Sequence, residues 1–186
     1  MPQLIKPTDF KLTNPKQNAE QAAKLIANIN KVIEQTDDYI LFTSGTNDSG
    51  HIGLYNREDR MLDYMVKYRN NPKRLAGTSV TQVALWRKWD SPWVQGITRR
   101  IFFEHLLVEW PTILSDAQQT EDGQRFWISR MAEATRLGFR VGINRMTPQT
   151  VDWFVGEPND FPKWLKLQAG WDKDLSHSFN RFMISI

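Results

Sequence analysis

Residues 80–86, VTQVALW, predict a β-strand, because a short run of β-branched, apolar and aromatic residues follows a polar connection. Residues 97–109 then predict a helix whose second half is almost entirely apolar, which is typical of a buried helix. Residues 112–114 predict a short buried strand, residues 121–137 a second helix and residues 139–143 a further strand. Two strand–helix–strand crossovers in succession predict parallel pairing in this half of the chain.

The first half of the chain predicts a helix followed by an antiparallel meander. A helix is expected over residues 15–34, with Asn14 as its cap, Pro15 in its first position and Gln17 completing a capping box. Apolar residues recur at helical spacing along it, at Ala22, Ile26, Ile29 and Ile33. Strands are predicted over residues 39–43, 51–55, 61–68 and 80–86, separated by turn residues.

The end of the chain is less regular. Residues 147–175 contain three Pro, two Gly and three Trp, and they predict an ordered but irregular Trp-rich segment over the sheet. Residues 181–186 predict a final strand. The fold class is therefore α+β or α/β, with a mixed, mostly antiparallel sheet flanked by helices, in a single domain over residues 1–186.

The composition is that of an ordinary globular domain. The chain has 186 residues, 40% hydrophobic and 24% charged, which is enough to bury a core. Lys and Arg exceed Asp and Glu by three, so the charge permits nucleic-acid binding without requiring it. The absence of cysteine excludes disulfides, thiolate metal sites and a cysteine nucleophile, and it fits a reducing compartment.

The sequence also bears on location and metal binding. No apolar run is long enough to cross a bilayer, and the N-terminus lacks a signal pattern, so we expect a cytoplasmic protein without a membrane partner. The three histidines, His51, His105 and His177, lack metal-ligand spacing, and no metal is expected.

The order of elements resembles the GNAT acyltransferases, a family of acyl-CoA-dependent N-acyltransferases. The resemblance is carried by residues 80–142, about a third of the chain. Residues 114–120, LSDAQQT, with Gly123 and Trp127, are similar to a stretch of GNAT-like proteins in phage genomes. The resemblance implies a sheet with a splayed parallel pair, acetyl-CoA or another acyl-CoA as co-substrate, an amine acceptor and, for a phage protein, the host cytoplasm.

The acyl-CoA signature of that family is Gln/Arg-x-x-Gly-x-Gly/Ala at the start of the first crossover helix. The matching residues here are 93–98, WVQGIT, in which Gly96 fits, Trp93 replaces Gln or Arg, and Thr98 replaces a small residue. The resemblance implies that Gln95, Gly96 and Thr98 bind the cofactor phosphates. It also implies that the acyl thioester lies near Trp86, along the parallel strands.

Arg99 and Arg100 belong to the same candidate cofactor site. Cations in the first turn of a helix cost roughly 0.3–1 kcal/mol each, and a bound anion at the helix N-terminus would reverse the sign of that cost. The alternative is that both are solvated surface residues whose stems cover apolar neighbours.

Three residues are candidates for catalysis. Asp116 and Ser115 end a buried strand, where crossover folds form their ligand crevice, so Asp116 could act as base and Ser115 could donate a proton to the leaving thiolate. Alternatively, both begin a turn into the next helix. His51 opens a strand after a turn and is a candidate general base. Tyr64 and Tyr68 are alternative proton donors, or aromatic residues of the core.

A binding protein on the same scaffold is the second hypothesis. It would be a phage-encoded modulator of a host protein or nucleic acid that has lost the cofactor, since a fold does not fix function. Residues 57–74 carry six basic side chains with Trp86, Trp89 and Trp93 nearby in sequence, which could form a nucleic-acid surface. The alternative for this segment is a solvated meander whose charges protect strand edges.

Overall fold

The protein is a mixed α/β structure built on an open, mostly antiparallel sheet flanked by helices. The computed structural model describes residues 11–46, 49–71, 79–116, 121–146, 149–168 and 181–186. Nine strands of this described part form one sheet in the order β1-β2-β3-β4-β5-β6-β9-β7-β8. They are β1 Ile29–Gln35, β2 Tyr39–Gly45, β3 Ser49–Asn56, β4 Met61–Asn71, β5 Ser79–Arg87, β6 Thr112–Leu114, β7 Arg140–Met146, β8 Gln149–Trp153 and β9 Arg181–Ser185.

Helices precede the sheet and connect its strands. They are α1 Pro15–Ile26, α2 Ile97–Arg100, α3 Leu107–Glu109, α4 Glu121–Arg136 and α5 Phe161–Leu167. A π-helical segment, Ile101–Leu106, joins α2 to α3, so residues 97–109 form one continuous helical stretch, the crossover helix. Within the described ranges, no helix is both long enough and apolar enough to cross a membrane.

The two faces of the sheet bury two separate cores. Leu41 packs in a cluster with the crossover helix and α4, whereas the next residue, Phe42, packs in a second cluster with α1. Successive side chains of a strand point to opposite faces. The crossover helix and α4 therefore cover one face, and α1 covers the other. Residues 62–66 of β4 are all buried because both of its faces are covered, although the alternation of apolar and polar residues over 61–68 predicts a half-buried strand.

One side chain fixes α1 to the sheet. The register of β3 and β4 shifts between Leu54↔Tyr64 and Tyr55↔Leu62, which leaves Asp63 as an extra residue in β4. Asn18 of α1 uses the backbone groups of Leu62 beside that bulge: its Oδ1 accepts from the Leu62 N–H at 2.7 Å, and its Nδ2 donates to the Leu62 carbonyl at 2.9 Å. This two-point contact sets where the helix lies on β4.

The predicted start of the first helix is confirmed, but its length is wrong. Asn14 caps the helix by accepting from the Gln17 N–H at 3.2 Å, and Ala22 is fully buried. The helix ends at Ile26, and Ile29 and Ile33, predicted on its apolar stripe, belong to β1. Helical spacing and strand alternation are hard to distinguish over so few residues, and the β-branched residues Ile29, Val32 and Ile33 favour a strand.

The predicted crossovers are confirmed in part. The strand Thr112–Leu114 has the expected bounds, and β5 pairs with β6 in parallel. β7, however, does not pair with β6, because β9 lies between them and is antiparallel to both. A strand that returns from the end of the chain leaves no local signal of the position at which it will insert. β9 itself confirms the predicted final strand.

The segment predicted as irregular contains regular structure. The described part of residues 147–175 includes β8, which forms a hairpin with β7, and the short helix α5. In α5, Phe161 is fully buried and packs edge-on against Phe154, with ring centroids 5.6 Å apart. Trp171 of the predicted segment lies outside the described residues.

Candidate functional site

The parallel pairing of β5 with β6 ends well before β5 does. β5 and β6 pair over three residues, from Ser79↔Thr112 to Thr81↔Leu114, whereas β5 continues to Arg87. Just beyond this point β5 has a bulge, because Lys67 pairs with Ala84 and Tyr68 with Gln82, which leaves Val83 as an extra residue. A bulge bends its strand and increases its twist. The backbone of β5 beyond Thr81 is therefore not paired by β6, and this unpaired edge of β5, called the opening below, is the candidate site.

A buried carboxylate holds the chain as it leaves β5 towards the crossover helix. Asp63 is fully buried, and the Ser91 hydroxyl donates to its Oδ2 at 2.7 Å, with the Lys88 ammonium 3.9 Å from its Oδ1. The same Ser91 oxygen accepts from the Trp93 N–H at 3.3 Å and caps a single 3₁₀ turn, Pro92–Val94. The bulge residue of β4 thus determines where the following turn lies.

That turn is followed by Gly96, the residue of the candidate cofactor motif 93–98 that fits the family signature. Gly96 has φ +71° and ψ −9°, a left-handed conformation that favours glycine, and a side chain there would meet open space. No side chain caps the helix that starts at Ile97. Gln95 is exposed and extended just before it, and Thr98 is half-buried in its first turn. The predicted residues Gln95, Gly96 and Thr98 therefore lie together at the start of the crossover helix.

The two arginines of the predicted site are engaged by carboxylates. Arg99 donates from Nε to Glu133 at 2.6 Å, with Glu104 at 3.7 Å, and Arg100 lies 2.7 Å from Glu34. These ion pairs support the alternative of surface arginines with structural partners. The sequence did not indicate these pairs, because Glu34 and Glu133 are far from the motif along the chain.

Two other arginines and a tyrosine surround the start of the helix. Tyr64 of β4 is fully buried, and its hydroxyl has no hydrogen-bond partner of good geometry among the described residues. Burial raises the pKa of Tyr64, while Thr98, Arg87 and Arg130 act in the opposite direction. Thr98 and both guanidinium groups are therefore close to this hydroxyl. Sequence reasoning missed Arg87 and Arg130, because they lie on two different elements, β5 and α4, which meet Tyr64 of β4 only in the folded protein.

These arginines differ in their pairing. Arg130 lies 2.6 Å from Glu133, the same carboxylate that Arg99 uses, and its Nε is buried with no partner among the described residues. No ion pair to a described residue engages Arg87, whose guanidinium carbon lies 3.5 Å from the centroid of the Trp89 ring. The region can therefore accept an anion.

Trp86 lies on the opposite face from the helix start. It is cross-strand from Met65 and packs against the α1 core, whereas Leu85 packs against the core of the crossover helix. The cause is the bulge at Val83, which reverses the alternation of side chains along β5. Arg87, not Trp86, shares a face with the start of the helix.

Ser115 and Asp116 directly follow β6, at the same end of the sheet as the opening. Ser115 is fully buried; its hydroxyl accepts from the Phe182 N–H at 2.9 Å and donates to the Asp116 carbonyl at 3.0 Å. Its main-chain N–H also donates to the Phe182 carbonyl at 2.9 Å. This arrangement favours a structural role for Ser115, which continues the pairing of β6 with β9. Asp116 is half-buried.

His51 lies elsewhere on the sheet. It is half-buried on β3, between Ser44 of β2 and Lys67 of β4. Burial, and then the charge of Lys67, lower its pKa, so the ring is neutral at pH 7. Three strand spacings, roughly 14 Å, separate β3 from β6. The structure therefore does not bring His51 to Ser115 and Asp116.

Tyr68 is the remaining proton-donor candidate. It faces the same core as Tyr64, pairs with Gln82 beside the β5 bulge, and packs on Trp110 with ring centroids 4.7 Å apart. Burial, with the nearby charge of Glu109, raises its pKa to about 12, so the phenol stays protonated at neutral pH.

Comparison with models of protein families gives no match, and comparison with curated proteins gives none either. Among the described residues, no group of His, Asp or Glu side chains is arranged to hold a metal ion. The site is therefore interpreted from its own geometry.

Proposed function

We propose that the chain is a GNAT-like acyltransferase that moves an acyl group from acyl-CoA to an amine. The observation that carries the proposal is the parallel pair β5–β6, which loses its pairing after three residues at the end of the sheet where the crossover helix begins. A splayed parallel pair followed by such a helix is what the resemblance to GNAT acyltransferases implies.

The opening suits an extended ligand that carries amide groups. Beyond Thr81 the main-chain groups of β5 on the β6 side are not used by β6, so a linear chain with amides can add to this edge as a further strand would. The pantetheine arm of CoA is such a chain. Its thioester would then lie between the separated strands, and its phosphates would lie towards Gly96.

The electrostatics at Gly96 suit the phosphate end of that ligand. The uncapped start of the helix offers main-chain N–H groups and a partial positive charge. Arg87, which has no ion pair to a described residue, adds positive charge there, whereas Arg99, Arg100 and Arg130 are paired with glutamates. Of the predicted cofactor residues, Gln95, Gly96 and Thr98 are kept in this assignment, and Arg87 replaces Trp86.

The reaction needs one proton acceptor and one proton donor. The amine nitrogen attacks the thioester carbonyl, the C–S bond breaks, and the amine proton leaves while the thiolate gains one. Asp116, at the end of β6, is the assigned acceptor, and the thiolate takes its proton from water, because the Tyr68 hydroxyl lies against Gly50 of β3, two strands from β5. Ser115 holds β9 in position, and His51 is too far away for direct proton transfer.

The test is binding of acetyl-CoA by isothermal titration calorimetry, followed by release of free CoA thiol with a panel of small amines and peptides. Arg87→Gln should weaken binding about tenfold, because a charge-assisted hydrogen bond is lost. Arg136→Gln, an exposed arginine in the last turn of α4, is the matched control and should bind as the wild type does. No binding of acetyl-CoA at millimolar concentration would refute the proposal.

A binding protein without catalysis is the second candidate. It is favoured by one observation: Arg99, Arg100 and the Ser115 hydroxyl, three groups predicted to act on the cofactor or leaving group, all have internal partners. Binding of a nucleic acid in a salt-dependent gel shift, or of a host protein in a pull-down, without binding of acetyl-CoA would favour this candidate over the transferase.

A further inference from the structure

Trp89 is unusually exposed for a tryptophan. It follows β5 in the turn before Ser91, and 79% of its surface is accessible. Tryptophan is highly buried on average, so an indole left in water at a loop is informative when it adjoins other groups that point to a ligand.

One face of the indole is already occupied. The Arg87 guanidinium carbon lies 3.5 Å from the ring centroid, which is a close cation–π contact. Since the side chain is largely exposed, the other face of the ring is available for stacking. A guanidinium behind the ring also holds it in one orientation, so less entropy is lost when a second planar group stacks on it.

The position of this pair ties it to the candidate site. Arg87 is cross-strand from Tyr64, whose buried hydroxyl lies close to Thr98 at the start of the crossover helix. Tyr64 and Arg87 are thus cross-strand neighbours near the helix start, and Arg87 leads from there to the exposed Trp89. If the phosphates of a ligand lie at the start of the crossover helix, the group on the far side of those phosphates would contact the Trp89 indole.

We infer that Trp89, held by Arg87, is a stacking platform for the adenine base of the CoA co-substrate, and that it makes the protein select CoA thioesters over thioesters of phosphopantetheine alone. This inference rests on the proposed function. It adds a specificity residue that takes no part in the acyl transfer.

The experiment compares two thioesters by calorimetry: acetyl-CoA and S-acetyl-4′-phosphopantetheine, which lacks the adenosine 3′,5′-bisphosphate part. Trp89→Ala should weaken acetyl-CoA binding about tenfold, the scale of one base stacked on an aromatic ring, and should leave binding of the shorter thioester unchanged. Trp89→Phe should restore most of the affinity. Val155→Ala, at another exposed apolar residue, is the control and should change neither affinity.

Several outcomes would overturn the inference, and they are distinguishable. If Trp89→Ala alters neither affinity, or both equally, the platform is wrong while the transferase proposal stands. If the wild type binds neither thioester, both proposals fail. If the wild type binds neither thioester but binds oligothymidylate, and Trp89→Ala abolishes that binding, the base belongs to a nucleic acid and both proposals are again wrong.

Discussion

At the scale of single residues, the lowered pKa of His51 predicts how the stability of the folded protein depends on pH. Burial and the Lys67 charge lower its pKa in the folded protein, so the unfolded chain, whose histidine has a pKa near 6.5, binds the proton more readily. Stability is therefore complete above about pH 6.5 and decreases as the pH falls towards the folded pKa. Urea unfolding from pH 7.5 to 5.5 should show this loss, and His51→Asn should reduce its slope.

His105 contributes to the same dependence of stability on pH. Its pKa is also lowered, mainly by burial and then by Arg100, so it adds to the loss in the same direction. The single variant His51→Asn should keep part of the slope, and the double variant with His105→Asn should keep least. A slope unchanged in both variants would mean that other groups govern stability over this range.

At the scale of elements, the hydrogen bonds of Asn18 predict how much the packing of α1 on β4 contributes to stability. Asn18→Ala removes the partners of the Leu62 N–H and carbonyl, and each buried group left unpaired costs about 1–3 kcal/mol. We expect a loss of about 3 kcal/mol in the free energy of unfolding, measured with urea at constant m-value. Asn14→Ala removes an exposed cap from the same helix and should cost about 1 kcal/mol. Equal losses in the two variants would contradict this account.

Elements defined by local signals could be predicted from the sequence, and the contacts between them could not. The cap at Asn14 and the strand Thr112–Leu114 depend on adjacent residues, and both have the predicted form. The face on which Trp86 lies could not be predicted, because the bulge at Val83 shows only when β5 pairs with β4. Arg87 was missed for the same reason, since its place in the candidate site depends on its pairing with Tyr64, which is 23 positions away in sequence.

At the scale of the whole molecule, β9 joins two parts of the sheet. It pairs with β6 on one side and with β7 on the other. In the sheet formed by the described strands, β9 therefore connects strands β1–β6 to strands β7–β8. Its residue Ile184 is fully buried and lies between Ile113 and Val141. A substitution that destabilises β9 should therefore destabilise both parts of the sheet.

Ile184→Ala tests this at the level of cooperativity. Loss of buried methyl groups should cost about 3 kcal/mol, while Ile186→Ala, two residues on and 63% exposed, should change stability by less than about 0.5 kcal/mol. Native-state hydrogen exchange should show the same loss of protection in amides of β3–β4 and of β7–β8, because both depend on β9. If only β7 and β8 lose protection, the first part of the sheet is stable without its partner across β9, and the molecule does not unfold as one cooperative unit.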